Sequence, residues 1–363
     1  MDVPDMSGDA RRTAYSAVST SLAMCSDHAL SELVDGAAPI GSGIGGRSAL
    51  MEVAGTSVFV KRVPLTDPER EPENVRSTAN LFELPLFFQY GVGSIGGPGF
   101  GAWRELAVHT MTTNWVLAGE YESFPLMYHW RVLPDSMSLP EELADVERAV
   151  TYWGGGRQVR LRIEALQRSS ASIVLFLEYI PQTLHQWLRS QVDAGEEATG
   201  RACAMVEREL AAGISAMNKR GLLHFDAHFE NILTDGRRLY FADYGLAISA
   251  RFVLSQDEVD FFDRHQLYDR CYAATYLVHW LVTALFGYRP EDRDGRYELV
   301  REYAAGKRPS GIAAEAAAIL ARNSPIAAIV SDFNRKFQRE SRHTPYPVEE
   351  IRRIARVHCP SSS

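Results

Sequence analysis

His224-Phe225-Asp226-Ala227-His228-Phe229-Glu230-Asn231 decides the reading of this chain, together with Asp243-Tyr244-Gly245 downstream. The intervening Ile232-Leu233-Thr234-Asp235-Gly236-Arg237-Arg238-Leu239-Tyr240-Phe241-Ala242 reads as a strand, a turn at Asp235-Gly236 and a second strand. That hairpin predicts that Asp226, Asn231 and Asp243 come together. A carboxylate can orient and deprotonate an attacking hydroxyl. An Asn carbonyl with a second carboxylate can hold a divalent cation such as Mg²⁺ against phosphates.

Upstream, Val206, Leu210, Ile214 and Met217 recur at helical spacing, and Lys219-Arg220-Gly221 gives a basic last turn followed by a glycine stop. This helix leads through Leu222-Leu223 straight into His224 and would hold it rigidly. Downstream, Ala273 to Phe286 is apolar but too short to span a bilayer, and reads as a buried helix beginning at Tyr268-Asp269-Arg270.

Nearer the N-terminus, Ile40-Gly41-Ser42-Gly43-Ile44-Gly45-Gly46 precedes an alternating strand–turn–strand pattern from Leu50 to Val63. A glycine-rich loop between strands lets backbone N–H groups approach phosphates, which nominates Gly41, Gly43 and Gly45. Lysine is scarce here, only Lys61, Lys219, Lys307 and Lys336, so an isolated lysine in Val58-Phe59-Val60-Lys61 is informative.

Together these segments resemble the protein-kinase-like superfamily, which includes protein kinases and aminoglycoside-phosphotransferase-like small-molecule kinases. Its catalytic signature is H-x-D-x-x-x-x-N followed by D-F-G, with a V-A-I-K strand upstream. Three departures stand out: Tyr244 for the usual Phe, Phe225 for the usual Arg, and His228 where serine/threonine kinases carry Lys. A His two places after the Asp is closer to the aminoglycoside enzymes.

The resemblance implies an α+β, bilobal fold with ATP held between a small β-rich lobe and a larger helical one. It assigns Asp226 as the catalytic carboxylate and Asn231 and Asp243 to magnesium. Lys61 takes the α- and β-phosphates, steadied by a helix glutamate. Glu105 is the expected partner, with Glu71, Glu73 and Glu83 as alternatives. Ser172 to Pro181 is similar to the last N-lobe strand and hinge, so Glu178 and Ile180 would face adenine. His228 is either a donor near the γ-phosphate or structural. Asp269 either accepts from the catalytic-loop backbone or acts only as a first-turn helix acid.

The expected organisation is an N-terminal helical extension (1–35, one helix over 9–34), an N-lobe with an insertion (36–178) and a C-lobe (179–345). A partly disordered tail (346–363) follows. The function implied is transfer of the γ-phosphate of ATP to a hydroxyl, foremost that of Ser or Thr in a protein or peptide. The absence of A-P-E after Asp243, together with His228, speaks for a small-molecule acceptor instead. A nucleotide-binding pseudokinase is the third reading, although no signature residue is missing.

A net charge of −8 over 363 residues argues against a dedicated nucleic-acid partner. The four cysteines, Cys25, Cys203, Cys271 and Cys359, lack zinc-ligand spacing and read as reduced thiols. The acidic N-terminus lacks the apolar core of a signal peptide. A cytoplasmic protein without membrane attachment is expected.

Overall fold

The computed structural model describes residues 7–43, 46–93, 95–136, 139–289 and 291–358. The chain is mixed α+β, with a small sheet and a helical body. It divides into two compact units, Met1–Pro181 with Ala242–Val259, and Gln182–Phe241 with Asp260–Ser363. No described helix is long and apolar enough to cross a membrane.

The first unit opens with two helices, α1 (Gly8–Ala23) and α2 (Asp27–Asp35). The single helix expected over 9–34 is broken because Ser26 caps a new one, its Oγ accepting the Ala29 N–H. Strands β1 (Ala38–Gly43), β2 (Gly46–Val53) and β3 (Thr56–Leu65) follow. Ala54 and Gly55 both have positive φ (51° and 74°), the requirement of a tight hairpin turn between β2 and β3. At Gly46 a Cβ would meet the Arg62 carbonyl oxygen at 1.9 Å, so only glycine fits there.

Residues 64–100 hold a short helix α3 (Asp67–Arg70) and one 3-10 turn (Leu86–Gln89). Then come α4 (Ala102–Leu117) and β4 (Met127–Pro134). Three helices, α5 (Glu141–Ala144), α6 (Val146–Tyr152) and α7 (Arg157–Gln167), precede β5 (Ala171–Glu178). The sheet order is β1-β2-β3-β5-β4, antiparallel throughout. Every residue of β5 is buried, which is why its sequence runs apolar without alternation. Helix α4 lies on this sheet through Ala102, Trp103 and Leu106, against Val63, Ile173 and Leu175.

The second unit starts with β6 (Gln182–Thr183) and α8 (Leu184–Asp193), whose N-terminus is closed by a capping box between Thr183 and Gln186. Helix α9 (Glu196–Lys219) buries the stripe Val206, Leu210, Ile214 and Met217. It leads into β7 (Leu222–Leu223). The hairpin β8 (Ile232–Thr234) and β9 (Leu239–Phe241) turns at Asp235-Gly236, with Gly236 at φ 83°. Gly213 of α9 lets Phe241 approach: a Cβ there would lie 2.1 Å from the ring.

The segment that returns to the first unit contains β10 (Ile248–Ser249) and the start of α10 (Gln256–Arg264). The second unit then continues with α11 (Tyr268–Phe286), α12 (Arg293–Ala304), α13 (Ala314–Arg339) and α14 (Val348–His358). Ile351 of α14 is buried. The Pro-Ser-Ser-Ser tail lies outside the described residues.

Candidate functional site

In the first unit, β3 is hydrogen-bonded on both sides, to β2 and β5, so Lys61 sits on a rigid strand opposite Leu175. Its Nζ donates to Glu105 Oε1 at 2.7 Å and to Asp243 Oδ1 at 2.9 Å. Lys61 and Glu105 are 7% and 3% exposed, so the pair is nearly out of water, whereas the Asp243 side chain keeps 39%. Burial pulls the Lys61 pKa down, but the carboxylates of Asp243 and Glu105 more than offset it and hold the ammonium charged. Glu105 is raised by burial and by Asp243, against the downward pull of Lys61. The alternatives Glu71, Glu73 and Glu83 make no contact with Lys61 among the described residues.

What aims Glu105 is the start of α4. Glu69, 1% exposed, accepts from the Ala102 N–H at 2.7 Å and from Arg162 Nη1 at 2.9 Å, and so caps this helix with a charge favoured at an N-terminus. One turn beyond Glu105, His109 Nε2 lies 4.0 Å from its Oε1, and the His109 ring meets Tyr244 edge-on at 4.8 Å. Tyr244 is fully buried and hydrogen-bonds to Thr112, which explains how a hydroxyl is accommodated where a phenylalanine would need no partner. Asp243 itself is held at φ 59°, a conformation non-glycine residues seldom adopt.

Of the nucleotide-binding candidates, Gly41 and Gly43 lie in β1, and Gly45 lies outside the described residues. Nothing within 4 Å would obstruct a Cβ at Gly41, so packing does not demand glycine there. Ile180 is buried. Glu178 is engaged within the unit. Its N–H donates to the Leu126 oxygen at 2.7 Å, and its carboxylate takes Arg11 Nε and Nη2 at 2.8 and 2.7 Å. Arg11, from α1, also donates to the Glu122 and Phe124 carbonyls. The N-terminal helix is thereby stapled to the end of β5.

In the second unit, the loop of the quoted stretch hangs on Asp269 of α11. Its Oδ2 accepts the His224 N–H at 2.7 Å and its Oδ1 the Phe225 N–H at 2.8 Å. Burial pushes the Asp269 carboxyl up to about 6, against the lowering effect of these two bonds. Phe225 is held at φ 63°, a costly conformation for a bulky residue, with its ring stacked on Tyr268 at 4.4 Å and on Phe261 at 5.5 Å. Next to it, Asn231 Nδ2 donates to the Asp226 carbonyl and to Asp226 Oδ2, both at 3.1 Å. These two bonds tie the Asn231 side chain to Asp226.

His228 Nε2 is 3.8 Å from Asp226 Oδ2, and its Nδ1 is 3.0 Å from Glu230 Oε2. Tyr276 donates to the same Glu230 oxygen at 2.8 Å. Burial would raise Glu230, but the hydrogen bonds from His228 and Tyr276 hold it down at about 2. Glu230 and Tyr276 escaped the sequence reading. Glu230 stood inside the quoted stretch, yet its role depends on Tyr276, which arrives from α11.

Asp226, His228 and Asn231 are therefore grouped in one unit, and Lys61, Glu105 and Asp243 in the other. Among the described residues, no three His, Cys, Asp or Glu side chains form a ready-made metal cage. Asn231 and Asp243 offer hard oxygen donors of the kind magnesium takes alongside phosphate oxygens. No family model matches this chain, and no curated protein matches it.

Proposed function

We propose that this protein is a magnesium-dependent phosphotransferase of bilobal, kinase-like architecture that moves the γ-phosphate of ATP to a hydroxyl. The observation that carries the reading is the buried Lys61 ammonium shared between Glu105 and Asp243. A buried lysine on a central strand, paired twice, is a fixed positive charge suited to the α- and β-phosphates. Phe225 and Asp243, two of the five non-glycine residues at positive φ among the described residues, add support, because such strain collects at functional sites.

Asp226 orients the acceptor hydroxyl and takes its proton, its carboxylate held by the Asn231 amide. Lys61 binds the polyphosphate and Glu105 keeps the ammonium in place. Asn231 Oδ1 and the Asp243 carboxylate are the donors that would hold magnesium. That ion, when bound, neutralises phosphate charge. His228, braced by Glu230, presents an imidazole beside Asp226. Positioning and charge neutralisation supply most of the rate in such chemistry.

The acceptor in this reading is a Ser or Thr hydroxyl of a protein or peptide. A small-molecule acceptor is the second reading. It is favoured by His228 and by the short stretch 244–255 that separates Asp243 from α10, which leaves little chain for a peptide platform. The test is transfer of labelled phosphate from ATP in magnesium, against panels of Ser/Thr peptides and of cationic and neutral metabolites. Transfer that disappears in Asp243→Asn supports the reading. No transfer to any acceptor, with no ATP hydrolysis, moves the chain to a nucleotide-binding role without catalysis.

A further inference from the structure

Residue 104, the neighbour of Glu105, makes an unusual set of contacts. Arg104 is 2% exposed and its Nη2 donates to Glu258 Oε1 at 2.6 Å, the carboxylate itself being buried. Its Nε donates to the Thr78 carbonyl at 2.8 Å. The guanidinium lies 5.1 Å from the Phe100 ring centroid and 5.4 Å from that of Phe252. Nη1 is buried and finds no hydrogen-bond acceptor among the described residues.

Glu258 also works locally. Its Oε2 accepts the Ser255 N–H at 3.0 Å while Ser255 Oγ accepts the Glu258 N–H at 3.3 Å, a capping box that starts α10. Thr78 repeats the bridge: its hydroxyl accepts the Val253 N–H at 2.9 Å. Closer to Asp243, the buried Gln89 amide donates to the Leu246 carbonyl. A Cβ on Gly99 would lie 3.1 Å from the Gly245 oxygen. The stretch after Asp243 is thus fastened to α4 and to the 64–100 segment by polar bonds that are buried at Arg104–Glu258 and Gln89–Leu246 and exposed at Thr78–Val253.

We propose that the Arg104–Glu258 pair is a permanent latch. It locks the helix bearing Glu105 to the segment following Asp243, so the enzyme is competent without covalent modification of that segment. The inference rests on the phosphotransferase reading. In switchable phosphotransferases an added phosphate supplies the charge that draws arginine side chains onto a loop and orders it. Here a genetically encoded carboxylate occupies the equivalent electrostatic role. Of the hydroxyl side chains in residues 244–259, Tyr244 and Ser249 are buried, and Ser255 is engaged as a helix cap. Arg104 and Glu258 are positioning residues that act through Glu105 and the Asp243 segment.

The experiment uses the full chain, phosphatase-treated, as wild type and as Arg104→Met, Arg104→Lys, Glu258→Gln and Arg104→Met/Glu258→Gln. Hydrogen exchange reports the latch independently of catalysis. The Val253 and Ser255 amides are expected to exchange roughly tenfold faster or more in each single variant, and no faster in the double. In turnover, kcat is expected to fall roughly tenfold or more with nucleotide KM within about threefold, and Arg104→Lys to recover part of the loss. Wild type is expected to keep its turnover after phosphatase treatment. Unchanged exchange in both single variants, additive effects in the double, or loss of wild-type activity on phosphatase treatment overturns the latch. If Arg104→Met does not fold, Glu258→Gln, which preserves shape and one carbonyl acceptor, decides. Absence of any wild-type turnover sinks the phosphotransferase reading instead, and the exchange measurements still stand or fall alone.

Discussion

The backbone N–H of Phe225, a residue strained at φ 63°, donates to Oδ1 of Asp269, a carboxylate with no solvent exposure. The second oxygen of Asp269 takes the neighbouring His224 N–H, so one side chain fixes two consecutive peptides immediately before Asp226. Asp269→Asn keeps the volume but leaves one carbonyl oxygen where two acceptors are needed. One buried backbone N–H then faces an amide donor. The expected loss is about 1–3 kcal/mol of stability, the usual cost of an unsatisfied buried donor. Urea unfolding measures it. A variant as stable as wild type would mean that the loop holds its strained conformation without Asp269.

Lys61→Met leaves the Glu105 and Asp243 carboxylates facing each other without their shared cation. Breaking a buried pair by removing one partner is expected to cost on the order of 3 kcal/mol. Lys61→Met/Glu105→Gln removes the orphaned buried charge as well, and is expected to be more stable than Lys61→Met alone. Thermal or urea unfolding of the two variants checks the order. The reverse order would show that Glu105 remains well solvated or protonated without Lys61.

The parts of this architecture that local sequence carries are the quoted loop, the β8–β9 hairpin, the α9 stripe and Lys61 on its strand. Each rests on a short-range pattern: alternation, helical spacing or a Gly turn. Within residues 135–170 the structure forms α5, α6 and α7, and α7 buries Val159, Ile163 and Leu166 at helical spacing. The irregular stretch before α4 owes its path to Glu69, which meets Arg162 93 positions away. Arg11 and Glu178 are 167 positions apart. A buried Arg–carboxylate pair at such separation leaves no periodic trace, because any exposed Arg and Glu would read the same. Glu105 stood out only through the expected need of Lys61 for a partner.

His265 supplies a pH test beside the loop that carries Asp226, its ring 5.8 Å from that of Phe225. It is 4% exposed, its Nδ1–H donates to the Phe261 carbonyl at 2.6 Å, and its ring stacks on Phe261. Burial lowers its pKa from the ordinary 6.5 to about 4, with Arg264 adding in the same direction against the Phe261 bond. A base with a depressed folded value stays neutral in the fold while the unfolded chain takes up a proton. Its contribution is therefore complete above about pH 6.5 and is lost as pH falls towards 4, by up to about 3 kcal/mol. His265→Phe is expected to lose less stability than wild type between pH 7 and 4.5 in urea unfolding. Parallel losses in the two proteins would place the acid sensitivity elsewhere.

Asp243→Asn removes a charge and little volume, and leaves Lys61 its bond to Glu105. Magnesium-dependent turnover is expected to vanish while the unfolding midpoint stays close to that of wild type. Near-wild-type transfer with magnesium as the only divalent ion would remove Asp243 from the metal-binding role.

Asp226→Asn separates chemistry from binding. The Asp226 carboxylate is fixed by Asn231 Nδ2 at 3.1 Å, with His228 Nε2 3.8 Å away. In the proposed mechanism it touches the acceptor hydroxyl and neither the adenine nor the ribose. Loss of this base is expected to lower kcat by about 10²–10⁴-fold, the usual share of general acid–base catalysis. Affinity for a non-hydrolysable ATP analogue is expected to change far less, because the amide can still hydrogen-bond in the same place. Analogue titration beside turnover reads the two quantities separately. Equal losses in both would make Asp226 a binding residue. Unchanged turnover would mean that the proton leaves by another route, and His228, braced by Glu230 and Tyr276, would be the next group to replace.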